Sequence, residues 1–132
     1  MNNLCPCGSQ RLADDCCLAI ISGKREAKTA LELMRSRYVA FTIGDGGYLM
    51  QSHHQKTRPA KERSKIESWA KSVHWMGLQV LTSQGGLAND YTGYVEFRAL
   101  YLENAQLQQI HENSFFKKEQ GKWFYYSGVH KR

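Results

Sequence analysis

Four cysteines stand in the first seventeen residues, as Cys5-Pro6-Cys7-Gly8-Ser9 and then Cys16-Cys17, and the rest of the chain has none. This spacing constrains what the N-terminus can bind. Zn²⁺ is satisfied by four thiolates in a tetrahedron, with Zn–S bonds of roughly 2.3 Å. A Cys-x-Cys turn lets Cys5 and Cys7 reach one ion, and Gly8-Ser9 can turn backbone N–H groups toward the anionic sulfurs, as outer-shell donors at metal sites do. On a strand Cys16 and Cys17 would point to opposite faces. On a helical turn they diverge by about 100°, near the angle between tetrahedral ligands. The competing arrangement is two disulfides. Bonding Cys5 to Cys7, or Cys16 to Cys17, would close very small, strained rings, and crossed pairs would call for an oxidising compartment. Leu18-Ala19-Ile20-Ile21 is far shorter than a signal-peptide apolar core and follows the cysteines, so the expectation is a reduced, cytoplasmic chain holding structural zinc through Cys5, Cys7, Cys16 and Cys17.

These residues resemble the SEC-C metal-binding motif: Cys5-Pro6-Cys7-Gly8-Ser9, eight intervening residues, then Cys16-Cys17. The same motif occurs at the C-terminus of the SecA preprotein-translocation ATPase, where it takes part in partner binding. The resemblance therefore implies a protein partner as well as zinc. The inner loop departs from the usual lysine-rich version, carrying Gln10, Arg11, Asp14 and Asp15.

A chain of 132 residues accommodates one core plus a small appendage, with the seam expected at Ser22-Gly23-Lys24: a zinc motif over 1–22 and a main domain over 23–132. No apolar run approaches the roughly 20 residues that span a bilayer, so no membrane association is expected. The net charge of +6 gathers at Lys56, Arg58, Lys61, Arg63 and Lys65 and again at Lys117, Lys118, Lys122, Lys131 and Arg132. Charge of this kind permits nucleic-acid binding without specifying it. Stacking aromatics are not interleaved in the first cluster, so it reads as a solvated helix face.

Periodicity divides the main domain into helices followed by strands. Ala27, Ala30, Leu31, Met34, Tyr38 and Phe41 recur at three- and four-residue steps, predicting a helix over 26–43 halted at Gly44-Asp45-Gly46-Gly47. A short helix is expected from Tyr48 toward His53-His54. Another should follow Pro59, with Ile66, Trp69, Ala70, Val73 and Met76 inward. After Gly77 the period becomes two: Leu78 and Val80, then Val95, Phe97, Ala99 and Tyr101, then strands near 107–116 and 122–127 joined at Gln120-Gly121. Helices first and antiparallel strands second give an α+β fold with helices on one sheet face. One face of the third strand carries Ile110, Glu112, Ser114 and Phe116. If it points inward, Glu112 needs a partner, for which Arg35 or Arg37 is placed. The opposite register would bury His111, Asn113 and Phe115, and pattern alone leaves both open.

Leu33-Met34-Arg35-Ser36-Arg37-Tyr38, Ser52-His53-His54, Val95-Glu96-Phe97, His111-Glu112-Asn113-Ser114 and Gly121-Lys122-Trp123-Phe124-Tyr125 together resemble the YchJ-like family, bacterial proteins in which a SEC-C motif precedes an NTF2-like domain. Where the family usually has proline after the second histidine, this chain has Gln55. The resemblance implies a cone-shaped sheet wrapped around helices with a pocket at the wide end, and Arg35, Arg37, Tyr38, His54, Glu112, Ser114 and Trp123 are its candidate lining residues. Two functions are weighed for it. One is a non-catalytic binding or adaptor module with a small-molecule ligand, since a four-cysteine site has no open position for activating water. The other is an enzyme in which His54 or His111 acts as general base, Glu112 orients it and Arg37 holds an anionic substrate.

Overall fold

The computed structural model describes residues 3–131. A bridge between Leu4 and Leu12, a 3₁₀ turn at Ala13–Asp15 and helix α1 (Cys17–Ile21) fold the N-terminus. Helices α2 (Ala30–Ile43), α3 (Gly46–Gln51) and α4 (Arg63–Ser72) follow, and then strands β1 (His74–Gly85), β2 (Thr92–Glu103), β3 (Gln106–Glu119) and β4 (Lys122–His130). The strands form an antiparallel meander in the order β1-β2-β3-β4. The helices cover one of its faces, as the change of period from three-and-four to two requires. No helix among the described residues is long and apolar enough to cross a membrane.

Helix α2 starts at Ala30, four residues later than the stripe from Glu26 suggests. Thr29 is extended, and its side chain accepts the Glu32 N–H at 3.0 Å, capping the helix there. Gly44, at φ 69°, closes it in the left-handed conformation that glycine adopts without a Cβ clash. The six-residue stripe understates its burial. Leu33, Ser36, Val39 and Ala40 are buried too, because the cysteine segment, α1 and α3 pack on α2 in addition to the sheet. Ser36 is satisfied within that interior by the Leu33 carbonyl at 2.7 Å and the Tyr48 hydroxyl at 2.6 Å.

Two features of the sheet position the site. On β1 the pairing with β2 slips at Met76 and again at Leu81, so Met76 is no inner residue of a helix as its spacing suggested but an extruded strand residue, 52% exposed. On β4 the register with β3 slips at Tyr126: Phe115 faces Ser127 while Phe116 faces Tyr125. The extra residue keeps Tyr125, Gly128 and His130 on the inner side despite their odd spacing. Both tight hairpins turn through two left-handed residues, Gln120-Gly121 (φ 52° and 79°) as expected and Asn104-Ala105 (φ 53° and 64°), which the sequence does not announce. Alanine carries a Cβ penalty there, so Ala105→Gly is expected to raise stability by about 1 kcal/mol in urea unfolding.

Candidate functional site: a cysteine cluster and an aromatic cavity

The cysteine site is built locally. Cys5 donates its N–H to the Arg11 carbonyl at 2.8 Å, and Gly8, at φ 85°, donates to Cys5 O at 3.2 Å, so the Cys-x-Cys turn doubles back on itself. The 3₁₀ turn and the start of α1 then bring Cys16 and Cys17 against it. All four thiols are free and buried, and their sulfurs lie within 4.8 Å of one another. Measured pairs are 3.7 Å for Cys7–Cys16 and 3.9 Å for Cys16–Cys17. Four sulfurs at 2.3 Å from a common centre would be about 3.8 Å apart, so the donor set fits a tetrahedral metal ion. The chemistry agrees. A hydrogen bond from Cys17 lowers the Cys7 thiol to about 4, while that same bond and burial push Cys17 upward. Four thiolates cannot coexist in this space without a cation.

This cluster is joined to the main core. Tyr38, Val39 and Ala99 belong to the same buried cluster as the cysteines, and Arg35 Nη1 donates to the Cys7 carbonyl at 2.5 Å. The second arginine on α2 points elsewhere. Met34, Arg37, Tyr38 and Phe41, spaced as one helical stripe, line a cavity of about 310 Å³ between the helices and the sheet. Its floor is the inner face of β3, with Glu112 7% exposed and Ser114 and Phe116 fully buried, which settles the register left open above. Trp69 and Trp75 stand perpendicular to each other on one side, their centroids 5.5 Å apart.

The polar groups of the cavity form one network. Ser114 Oγ and the Tyr125 hydroxyl donate to Glu112 Oε2 at 2.5 and 2.9 Å, and His130 Nε2 lies 3.4 Å from Oε1. A Cβ at Gly128 would overlap this carboxylate, so the glycine makes room for it. Arg37 stacks on the other face of the network, its Cζ 4.6 Å from the Tyr125 ring centroid. Its Nη1 donates to Leu49 O and Ser52 Oγ at 2.8 and 2.6 Å. The expected direct Arg37–Glu112 ion pair is therefore replaced by an arrangement through Tyr125, because the end of α3 attracts the guanidinium. Burial pulls Arg37 down to about 10 and pushes Tyr125 upward, so at neutral pH the one remains a cation and the other a hydroxyl donor.

Of the expected lining residues, the structure brings together Arg37, Tyr38, Glu112 and Ser114. It places three elsewhere. Arg35 holds the cysteine turn. Trp123 is buried beneath the start of α2, donating to Lys28 O at 3.2 Å. His54 points away from the cavity onto Glu119 and the rings of Phe124 and Tyr126. Its neighbour His53 lines the cavity instead, edge-on to Tyr125. Adjacent residues point apart, so choosing between them needed the fold. His111 lies on the other face of the sheet, paired with Glu96 at 2.7 Å, which separates it from Glu112. Trp69 was legible only as the inner face of a helix, Trp75 was not singled out because β1 begins earlier than the period change at Gly77 suggested, and Tyr125 and His130 depend on the β4 bulge.

Burial, assisted by Arg37 and Arg58, pulls the His53 imidazole from 6.5 down to about 4. Between those values the unfolded chain binds more protons than the folded one. This contribution to stability is therefore complete above about pH 6.5 and is lost as pH falls toward 4. His53 is partly exposed, and solvent screening limits the effect to about 1–2 kcal/mol. The urea midpoint is expected to fall across this window, and His53→Gln to flatten the fall.

Comparison with known proteins agrees with both halves of the chain. The family described as YchJ, middle NTF2-like domain, matches residues 29–128, and the SEC-C motif matches residues 1–19. A UPF0225 protein of Geobacter sulfurreducens is 38% identical over 128 residues, covering 97% of this chain and 80% of its own length. One of Streptomyces coelicolor is 40% identical over 124 residues, covering 94% and 93%. The solution structure of a SEC-C motif containing protein from Rhodopseudomonas palustris superposes with a TM-score of 0.87 at 30% identity, over 98% of this chain and 99% of that one. A crystal structure of another, from Psychrobacter arcticus, gives 0.81 at 27%, over 98% and 83%.

Proposed function

The chain belongs to the YchJ-like family, pairing a SEC-C motif with an NTF2-like domain, and from that premise we propose that it is a non-catalytic small-molecule-binding protein whose four cysteines hold a structural zinc ion. The observation that carries the reading is the cavity. An apolar, aromatic-walled space of about 310 Å³ receives a carboxylate, a guanidinium and two hydroxyls at one end. A fold with no ligand to orient would gain more from filling such a space with side chains, whereas binding sites are concave, mostly apolar and furnished with a few convergent polar groups. For zinc, the support is the all-thiolate donor set and sulfur separations that match a tetrahedron. Four thiols held for a metal suit a reducing compartment, and this reading assigns the protein to the cytoplasm.

A catalytic reading is less well supported. The arginine meant for an anionic substrate is held at Leu49 and Ser52 through Nη1 and shares the cavity with the Glu112 carboxylate, and neither histidine considered as a base faces the cavity.

Native mass spectrometry of untagged protein purified without added metal tests the proposal. One zinc per chain, with a co-purifying small-molecule mass in part of the population, is expected. A metal-free chain four hydrogens lighter than its reduced mass would mean two disulfides and would remove both the zinc site and the cytoplasmic assignment.

A further inference from the structure

Resting on the reading of the cavity as a ligand site, we propose that its ligand is a small, flat, net-uncharged molecule of one or two rings whose polar end pairs a hydrogen-bond acceptor with a donor, as a carboxamide or lactam does. Three observations lead there. The first is charge. Arg37 lies over the Tyr125 ring and Glu112 accepts from the Tyr125 hydroxyl, so the cavity already holds one cation and one anion. A ligand bringing net charge would leave it unpaired among aromatic and aliphatic walls, where desolvation is costly.

The second is the hydrogen-bonding remainder. Among the described contacts Arg37 donates to protein only through Nη1. Glu112 Oε2 takes both hydroxyls, and Oε1 has only the solvent-exposed His130 nearby. The cavity therefore offers a donor over the Tyr125 ring and an acceptor beyond its hydroxyl, which a ligand carrying both an acceptor and a donor, such as an amide, can answer.

The third is the walls. The indole N–H groups of Trp69 and Trp75 donate to Glu103 Oε2 at 3.1 Å and to Ala70 O at 3.0 Å. These rings consequently present only π surface inward, suited to edge-to-face packing with a flat ring. The volume of about 310 Å³ stands at the low end of ligand pockets, roughly 300–1,000 Å³, which limits the ligand to one or two rings.

Two charged alternatives are disfavoured on the same grounds. A cationic ligand would find π faces at Trp69 and Trp75, but it would add a second cation to a cavity whose lining already holds Arg37, with Glu112 as its one carboxylate. An anion would be drawn by Lys56, Lys61 and Lys65, but these are solvent-exposed and absent from the lining, so salt screens them.

The test uses three probes sharing one bicyclic body: indole-3-acetamide, indole-3-acetate and tryptamine. Each is titrated into the full metal-loaded chain by calorimetry, with side-chain chemical shifts of Trp69, Trp75 and Tyr125 locating the binding. The amide is expected to bind at least about tenfold more tightly than either charged relative. Glu112→Gln, which leaves Arg37 as the only charge, is expected to shift the preference to the acetate. Tighter binding of the acetate or of tryptamine by the unaltered chain would overturn the uncharged class while leaving the cavity a binding site. No saturable binding of any probe would overturn the ligand-site reading itself and this inference with it. An unchanged preference in a folded Glu112→Gln protein would refute the charge argument. If that variant does not fold, the rank order in the unaltered chain decides the matter alone.

Discussion

Replacing Cys16 by serine is expected to abolish metal retention and to release the segment 3–28 from the rest of the protein. The Cys16 sulfur lies 3.7 Å from that of Cys7 and 3.9 Å from that of Cys17, and also 3.2 Å from Ser9 Oγ. A serine hydroxyl is a poor ligand for a thiolate-rich ion, and the three remaining thiols leave the tetrahedron one donor short. Structural zinc contributes about 10–16 kcal/mol of apparent binding free energy in small zinc-finger peptides, much of it expressed as folding. Here the loss is smaller, because α2 and the sheet retain their own contacts, but it reaches the main core. The cysteines share a buried cluster with Tyr38, Val39 and Ala99, and Arg35 is tied to the Cys7 carbonyl. A fall of at least about 3 kcal/mol in urea unfolding is expected, at the high end of single substitutions, together with rapid proteolysis at Ser22-Gly23-Lys24. Metal analysis of the purified variant provides the decisive reading. A variant retaining one metal ion per chain would show that Cys16 is not a ligand.

The contrast between the two sites explains what a sequence of this kind discloses. The cysteine cluster was fully legible because its geometry is local: the ligands are a few residues apart, and only tight turns bring them together. Met34, Tyr38 and Phe41 were legible for the same reason, since helical spacing puts them on one face wherever the helix docks, and Arg37, singled out only as a partner for Glu112 and by the family resemblance, falls on that face too. The opposite wall was not. Which face of β3 turns inward depends on its pairing with β2 and β4, and a shift of one residue would exchange Glu112 for His111. The bulge at Tyr126 has no marker of its own, being defined by the strand it faces. It alone aligns Tyr125 with Gly128 and His130. His53 and His54 pose the same difficulty at shorter range. The family resemblance supplied the fold and named the right segments, but within each segment only the packed structure selects the residue that faces the cavity.

Arg37→Met should be the most destabilising single change in the cavity, by about 3–5 kcal/mol. Methionine can fill much of the same volume, so a simple cavity term is not the main cost. The cost is electrostatic. Arg37 is the buried counter-charge of Glu112, acting across Tyr125, and it satisfies Leu49 O and Ser52 Oγ. Removing it leaves a carboxylate among apolar walls with two hydroxyls and the exposed His130 as its support, and breaking one side of a buried charge pair costs roughly this much. Glu112→Gln should be milder, about 1–2 kcal/mol, because the amide oxygen can still accept from Ser114 and Tyr125 while Arg37 keeps its carbonyl partner and its place on the ring. The double variant Arg37→Met/Glu112→Gln is then expected to be more stable than Arg37→Met alone, since the stranded charge is gone. That inversion separates a charge network from mere packing. If Glu112→Gln worsened Arg37→Met by its own full cost, the two residues would be energetically independent, and the charge balance assigned to the cavity would not exist.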